Sequence, residues 1–71
     1  MHGYGVDYAE RIIRCPEHPC KRYALRALEL RISVAEVANL LGVSRIAVYG
    51  WFDGRRRPNT EHMAQLERYL G

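Results

Sequence analysis

Four arginines lie close together in the second half of the chain, where one anionic partner could neutralise them. Arg45 and the run Arg55–Arg57 fall between Val43 and Thr60, and Asp53 is the one acidic residue of that stretch. The chain has 11 lysines and arginines and 8 acidic residues, so seven of each lie outside the stretch and cancel. The net charge of +3 is therefore concentrated in residues 43–60. This distribution indicates an anionic partner bound at one place rather than a generally basic surface.

Cys15, His18 and Cys20 form the other chemically capable group, because thiolate and imidazole are good zinc ligands. Structural zinc sites have four ligands, and the spacing of these three residues matches no zinc motif that we recognise. A fourth ligand would have to come from His2, Glu17 or His62. We therefore expect no metal and no other cofactor. The segment is interpreted instead as a hinge stiffened by prolines, with two reduced thiols.

Turn-forming residues divide the chain into segments whose apolar residues repeat with helical spacing. The turns lie at residues 15–19, 41–44 and 53–58. The spacing between them predicts helices at Val6–Arg14, Cys20–Ile32, Ser33–Leu41, Ser44–Phe52 and from Asn59 onward. Ser33, Ser44 and Asn59 are predicted N-caps. Gly42 and Gly54 are predicted to end the helices before them. No segment alternates with the period of a strand, so we expect an all-α, compact four- to five-helix bundle.

The apolar stripes of these helices predict which side chains enter the core. In chain order they are Val6, Ala9, Ile12 and Ile13; Ala24, Leu25, Leu28 and Ile32; Val34, Val37, Ala38 and Leu41; Ala47, Val48 and Trp51; and Met63, Leu66, Tyr69 and Leu70. Phe52 is expected to pack between the loop that follows it and the last helix. Arg45, Ile46 and Tyr49 are left on the outer face of their helix.

Two short predicted helices joined by a tight glycine turn form a helix-turn-helix. The small Ala38 lets the two helices cross closely, and Gly42 adopts the left-handed backbone of the turn at little cost. Residues 33–59, SVAEVANLLGVSRIAVYGWFDGRRRPN, resemble the Cro and phage-repressor class of helix-turn-helix domains. The family's spacing is matched by Ala38, Gly42, Val43, Val48 and Trp51. Gly54, Pro58 and residues 59–71 continue the match, which covers residues 21–71.

The resemblance implies a lambda-repressor-like DNA-binding fold and assigns roles to the matching positions. Arg45, Ile46 and Tyr49 occupy the positions from which the family reads bases in the major groove. Contacts to DNA phosphates are implied for Ser33, Val34, Ser44, Arg55, Arg56 and Arg57.

The chemistry of the predicted base-reading side chains agrees with these roles. Arg45 can donate two hydrogen bonds to O6 and N7 of guanine, and a thymine methyl group would shelter Ile46. Tyr49 can bond a phosphate or pack on a base edge. Each side chain also has a simpler interpretation. Arg45 would be a solvated helix residue, Ile46 would pack on the N-terminal segment or a partner subunit, and Tyr49 would be a structural surface aromatic.

The chain departs from the family at two positions. Val34 stands where the family often has a polar residue, commonly glutamine, so only its backbone N–H can reach a phosphate. Gly50 lies inside the predicted recognition helix, where glycine costs roughly 0.5–1 kcal/mol. We expect close approach of this helix to the wall of the DNA groove to compensate.

We expect a sequence-specific transcriptional regulator, a repressor of phage or mobile-element type, with residues 44–52 in the major groove of double-stranded DNA. The operator is expected to be pseudo-palindromic and the protein a homodimer, with Val6–Arg14 as the candidate dimer surface. Residues 1–19 are predicted to be an N-terminal extension and residues 20–71 the DNA-binding domain. The sequence has no signal-peptide or membrane-spanning pattern. We therefore expect the protein in the cytoplasm, on the nucleoid, or in the host cytoplasm if it is viral.

Two other functions stay open. A small terminase-like packaging protein or a recombination accessory factor would also bind DNA. A protein-interaction module, such as an antitoxin or an inhibitor of a host enzyme, would use Ile46 and Tyr49 to contact another protein. An enzyme is not expected, because no nucleophile–base–acid set and no phosphate-cradling glycine loop is visible.

Overall fold

The chain forms five short α-helices joined by turns. A computed structural model describes the backbone of residues 6–71 and the side chains of residues 8–71. The helices are α1 (Val6–Arg14), α2 (Lys21–Leu30), α3 (Val34–Leu41), α4 (Arg45–Phe52) and α5 (Thr60–Leu70). The described residues contain no strand, which confirms the predicted all-α class. None of the helices described is long and apolar enough to cross a membrane.

The three predicted N-caps are confirmed. Ser33 and Glu36 form a reciprocal capping box: the Ser33 hydroxyl accepts from the Glu36 N–H at 3.1 Å, and Glu36 Oε1 accepts from the Ser33 N–H at 2.8 Å. Ser44 Oγ accepts the Ala47 N–H at 3.1 Å. Asn59 Oδ1 accepts the His62 N–H at 2.8 Å. These side chains satisfy backbone donors that a helix leaves unpaired at its start.

α2 is shorter than the predicted Cys20–Ile32. Arg31 adopts a left-handed backbone with φ of 61°, which ends the helix at Leu30. The Ile32 N–H donates to the Ala27 carbonyl at 2.9 Å, and the Arg31 N–H donates to the Leu28 carbonyl at 3.1 Å. This pair of bonds is a Schellman closure, here formed without the glycine that usually signals it. The end of α2 at Leu30 was therefore not predictable from a local sequence signal.

The core draws side chains from all five helices. Its most deeply buried members are Ile12, Ala24, Ala27, Val48, Phe52 and Leu66. Trp51 is buried, as predicted. Phe52 is enclosed by the core itself, more deeply than the expected position between the loop and the last helix. Ile12 brings α1 into this core, and α1 packs against α2. The division of the chain at residue 19 stays a prediction.

The predicted stripes of α1, α2 and α5 are wrong at one residue each. Ile13, Leu25 and Tyr69 are exposed, with Ile13 57% accessible. Each directly adjoins a buried residue in the sequence, and one step along a helix turns a side chain by about 100°. The predicted buried face of each of these helices was therefore one residue too wide. The side chain of Val6, also predicted to face inward, lies outside the described side chains.

A polar cluster joins α2 to α5 at the surface. Glu67 Oε1 accepts hydrogen bonds from the Tyr23 hydroxyl at 2.7 Å and from the Arg22 guanidinium. Arg22 also lies over the Tyr23 ring, 4.4 Å from its centroid. The hydrogen bond from Tyr23 and then the one from Arg22 lower the pKa of Glu67. The ionised carboxylate is thus favoured in the folded state.

We predict that Glu67→Gln lowers the free energy of unfolding at pH 7 and that its effect shrinks on acidification. A carboxyl with a lowered folded-state pKa stabilises the fold above its unfolded pKa and loses that contribution as the pH falls through the folded value. The difference from the parent should therefore decrease below about pH 4.3, the ordinary glutamate pKa. Urea titrations between pH 3 and pH 7 would measure this difference in unfolding free energy. Glu29→Gln is the control, because Glu29 pairs with Arg26 inside one exposed helix face. Equal losses for both variants at every pH would contradict the prediction.

Candidate nucleic-acid interface

α3 and α4 form the predicted helix-turn-helix. Ala38 is buried where the two helices meet, and the Val43 N–H donates to its carbonyl at 3.0 Å. Gly42 turns the chain with φ of 71°, in the left-handed region that glycine enters without strain. Val34, Val37, Ala38 and Leu41 of α3 are all buried, as predicted. The pair is therefore held together by apolar contacts.

The outer face of α4 presents Arg45 and Ile46 to solvent. Ile46 is 70% accessible, the most exposed of the large hydrophobic residues described. Arg45 is exposed, and among residues 8–71 no carboxylate lies within salt-bridge distance of it. Val48 and Trp51 occupy the opposite, buried face. The predicted orientation of Arg45 and Ile46 is confirmed, and both side chains are available to a partner.

Tyr49 is only half-exposed, although it was expected to point outward with Arg45 and Ile46. Its ring meets the ring of Tyr8 from α1 in a T-shaped contact, with centroids 5.0 Å apart and planes at 84°. Tyr8 was not among the predicted site residues. A contact between residues so distant in the sequence leaves no local pattern by which it could have been found.

The predicted phosphate contacts on α3 and α4 fall in two places. Ser44 and Arg45 line a groove of about 430 Å³ together with Ala35, Ala38, Asn39 and Val43. Ser33 and Val34 lie at the start of α3 and do not line that groove. The Val34 side chain is buried, so the backbone is what it can offer to a phosphate. The Ser44 hydroxyl already accepts a capping bond, and its own hydrogen can still donate.

The three arginines after α4 are all exposed but not equivalent. Arg55 Nε donates to both carboxylate oxygens of Asp53, at 3.0 and 2.9 Å, and the Asp53 side chain is only 7% accessible. This hydrogen bond and the charge of Asp53 raise the pKa of Arg55. No carboxylate in the described part of the chain pairs with Arg56 or Arg57. Arg56 and Arg57 are thus the cations that a phosphate would meet without competition.

A helix-turn-helix family model matches residues 23–71, which make up most of the chain and extend from within α2 through α5. The chain belongs to the helix-turn-helix family of the Cro and phage-repressor type. The expected resemblance is confirmed, and with it the lambda-repressor-like fold. Membership makes this a DNA-binding domain and not an enzyme. Comparisons with curated proteins and with solved structures found no match.

Gly50 of this helix-turn-helix domain is explained by a contact within the protein. It is buried, and a Cβ added to it would lie 2.9 Å from Cδ and 3.0 Å from Cγ of Arg56. The Arg56 N–H also donates to the Gly50 carbonyl at 3.0 Å. The expectation that Gly50 allows close approach to the DNA wall is therefore wrong. The missing side chain makes room for the loop that carries the arginines.

The three zinc candidates, Cys15, His18 and Cys20, each contact other parts of the protein. Cys15 Sγ donates to the Ile12 carbonyl at 3.1 Å. The His18 ring packs on Gly54, so that a Cβ added to Gly54 would lie 3.0 Å from His18 Cδ2.

Cys20 is buried beside Met63. Burial, partly opposed by the charge of Arg57, raises the pKa of the Cys20 thiol to about 11. No three metal-binding side chains come together within the described residues, and His2 lies outside them.

We predict that Gly50→Ala leaves the stability of the domain nearly unchanged. Alanine in a helix interior gains roughly 0.5–1 kcal/mol over glycine, but here its methyl group must displace the stem of Arg56. In an Arg56→Ala background Cγ and Cδ are absent and only Cβ remains, 3.3 Å from the added methyl group. The same substitution should therefore stabilise the domain by up to about 0.5–1 kcal/mol. Urea unfolding of the parent, the two single variants and the double variant would give the energetic coupling between positions 50 and 56. An equal gain in both backgrounds would show that Arg56 does not constrain Gly50.

Proposed function

We propose that this domain is a sequence-specific transcriptional repressor that inserts α4 into the major groove of double-stranded DNA. The observation that carries the proposal is a pair of exposed side chains on α4, which is anchored by Val48 and Trp51. They are Ile46 and Arg45, which has no carboxylate partner among residues 8–71. A helix held from behind presents its outer residues in fixed positions, as base readout requires.

Base recognition would depend on Arg45 and Ile46. A guanidinium fits O6 and N7 of guanine with two hydrogen bonds, and an apolar group favours the thymine methyl. Exposing most of an isoleucine to water is unfavourable, so covering Ile46 against a thymine would contribute to affinity.

Phosphate binding would come from the rim of this surface. The Ser44 hydroxyl and the backbone N–H groups at the start of α3 and α4 are donors for phosphate oxygens. Arg56 and Arg57 would add positive charge beside the DNA groove. These contacts would supply affinity and register without reading sequence.

The repressor would act as a homodimer on a pseudo-palindromic operator in phage or mobile-element DNA. One domain of this size offers few base contacts, and a dimer doubles them. In such dimers the two recognition helices lie about 34 Å apart, one turn of the duplex. α1 is the surface we propose for dimerisation. A solution mass of two chains on operator DNA would support this arrangement, and a ring of many chains would favour a packaging role.

We predict that Arg45→Ala and Arg56→Ala affect DNA binding in different ways. Arg45→Ala should cost about 1–3 kcal/mol on the preferred site and relax the preference at one base pair. Arg56→Ala should weaken all sequences alike and reduce the slope of log affinity against log salt by about 0.9. Sites selected from random duplexes, followed by titrations at several salt concentrations, would measure both effects.

Arg68→Ala is the matched control, because Arg68 is an exposed arginine in the last turn of α5 and is not one of the proposed DNA contacts. It should change neither the preference nor, beyond a small long-range effect, the affinity. If Arg45→Ala left the sequence preference intact, α4 would not be the reading helix. If the parent bound no duplex even at low salt, the protein-interaction alternative would be favoured.

A further inference from the structure

α1 lies outside the residues that match the family model, yet one of its side chains touches the recognition helix. We propose that Tyr8 is a positioning residue that orients Tyr49 on the DNA-reading face, so that α1 adjusts sequence discrimination. The proposal rests on the proposed DNA-reading role of α4. It adds to that role a residue outside the helix-turn-helix itself.

The contact between the two rings has the geometry of a specific aromatic pair. A centroid separation of 5.0 Å with planes at 84° falls within the favoured edge-to-face arrangement. Tyr49 follows Arg45 by four residues and Ile46 by three, so all three lie along one side of α4. Tyr49 is half-buried, because it packs against the core as well as on Tyr8, and the rest of its side chain stays exposed to solvent.

Tyr8 is itself held in a fixed place. Ile12, one turn later on the same face of α1, is completely buried. At the end of α1 the Lys21 ammonium donates to the Cys15 carbonyl at 2.6 Å, which ties the helix to the start of α2. α1 is therefore anchored to the body of the domain at two points. A side chain on such a helix can orient Tyr49, whereas one on a loose segment could not.

A positioning role differs from plain core packing in what it changes. Loss of packing lowers the stability of the fold and reduces the amount of active protein for every DNA sequence equally. Loss of orientation changes the preference at the base pair that Tyr49 faces and leaves other positions unaffected. The dependence on salt should also stay the same, because no phosphate contact is removed.

The test compares Tyr8→Leu, Tyr8→Ala and Tyr8→Phe with Tyr69→Leu, the same kind of change at an exposed tyrosine on α5. Each purified full chain is titrated with the preferred duplex and with all single-base variants of it, and its stability is measured separately. Tyr8→Leu keeps apolar volume, so the experiment does not depend on Tyr8→Ala being folded. We expect Tyr8→Leu to reduce discrimination at one base pair by roughly 2- to 10-fold, the range of a single aromatic pair. Tyr8→Phe should retain the discrimination, since it keeps the ring.

The same substitutions in a Tyr49→Ala background should leave discrimination unchanged. In the free protein, Tyr8→Leu should shift the ring proton resonances of Tyr49, and Tyr69→Leu should not. The proposal is overturned if Tyr8→Leu weakens every sequence alike, or if its effect persists without the Tyr49 ring. If the parent discriminates between sequences but Tyr8→Leu does not alter this, the positioning role fails and the proposed function stands. If the parent binds no duplex, the proposed function itself fails.

Discussion

The buried face of α4 is the constraint on which the rest of the molecule depends. A helix of eight residues is not stable alone in water, so α4 persists because Val48, Trp51 and Phe52 are buried against its neighbours. Once one face of a helix is buried, the residues of the other face are determined as well. The exposure of Arg45 and Ile46 is therefore a consequence of packing behind them. A change in the core that rotated α4 would also redirect the side chains that it offers to DNA.

Features that depend on near neighbours could be predicted from the sequence. The N-caps at Ser33, Ser44 and Asn59, the turn at Gly42 and the family itself all follow from residues a few positions apart. The rotation of each helix was less predictable. Adjacent apolar residues such as Ile12 and Ile13 fit one stripe equally well, and the neighbouring helices decide which of them is buried.

The candidate site was harder to predict, because it depends on contacts between separate segments. A count of charges treats Arg55, Arg56 and Arg57 as equal, whereas the structure commits Arg55 to Asp53 and leaves the other two without a carboxylate partner among the described residues. Gly50 was interpreted as a DNA contact because nothing local reveals that Arg56 packs on it. The exposure of Arg45 and Ile46 was predictable because both lie outside the apolar stripe that is buried in α4. Their roles on DNA remain proposals.

The energies involved explain how a helix outside the family match could influence specificity without endangering the fold. An aromatic pair such as Tyr8 and Tyr49 contributes about 0.5–1.5 kcal/mol beyond its burial, which is small beside an unfolding free energy of about 5–15 kcal/mol. The same amount is comparable with the roughly 1–3 kcal/mol that separates a correct base pair from a wrong one. A peripheral contact can therefore be too weak to decide whether α4 forms and still strong enough to alter what α4 reads. Residues at the edge of the core are thus better suited than Trp51 to changing specificity, because losing Trp51 would remove the helix together with its preference.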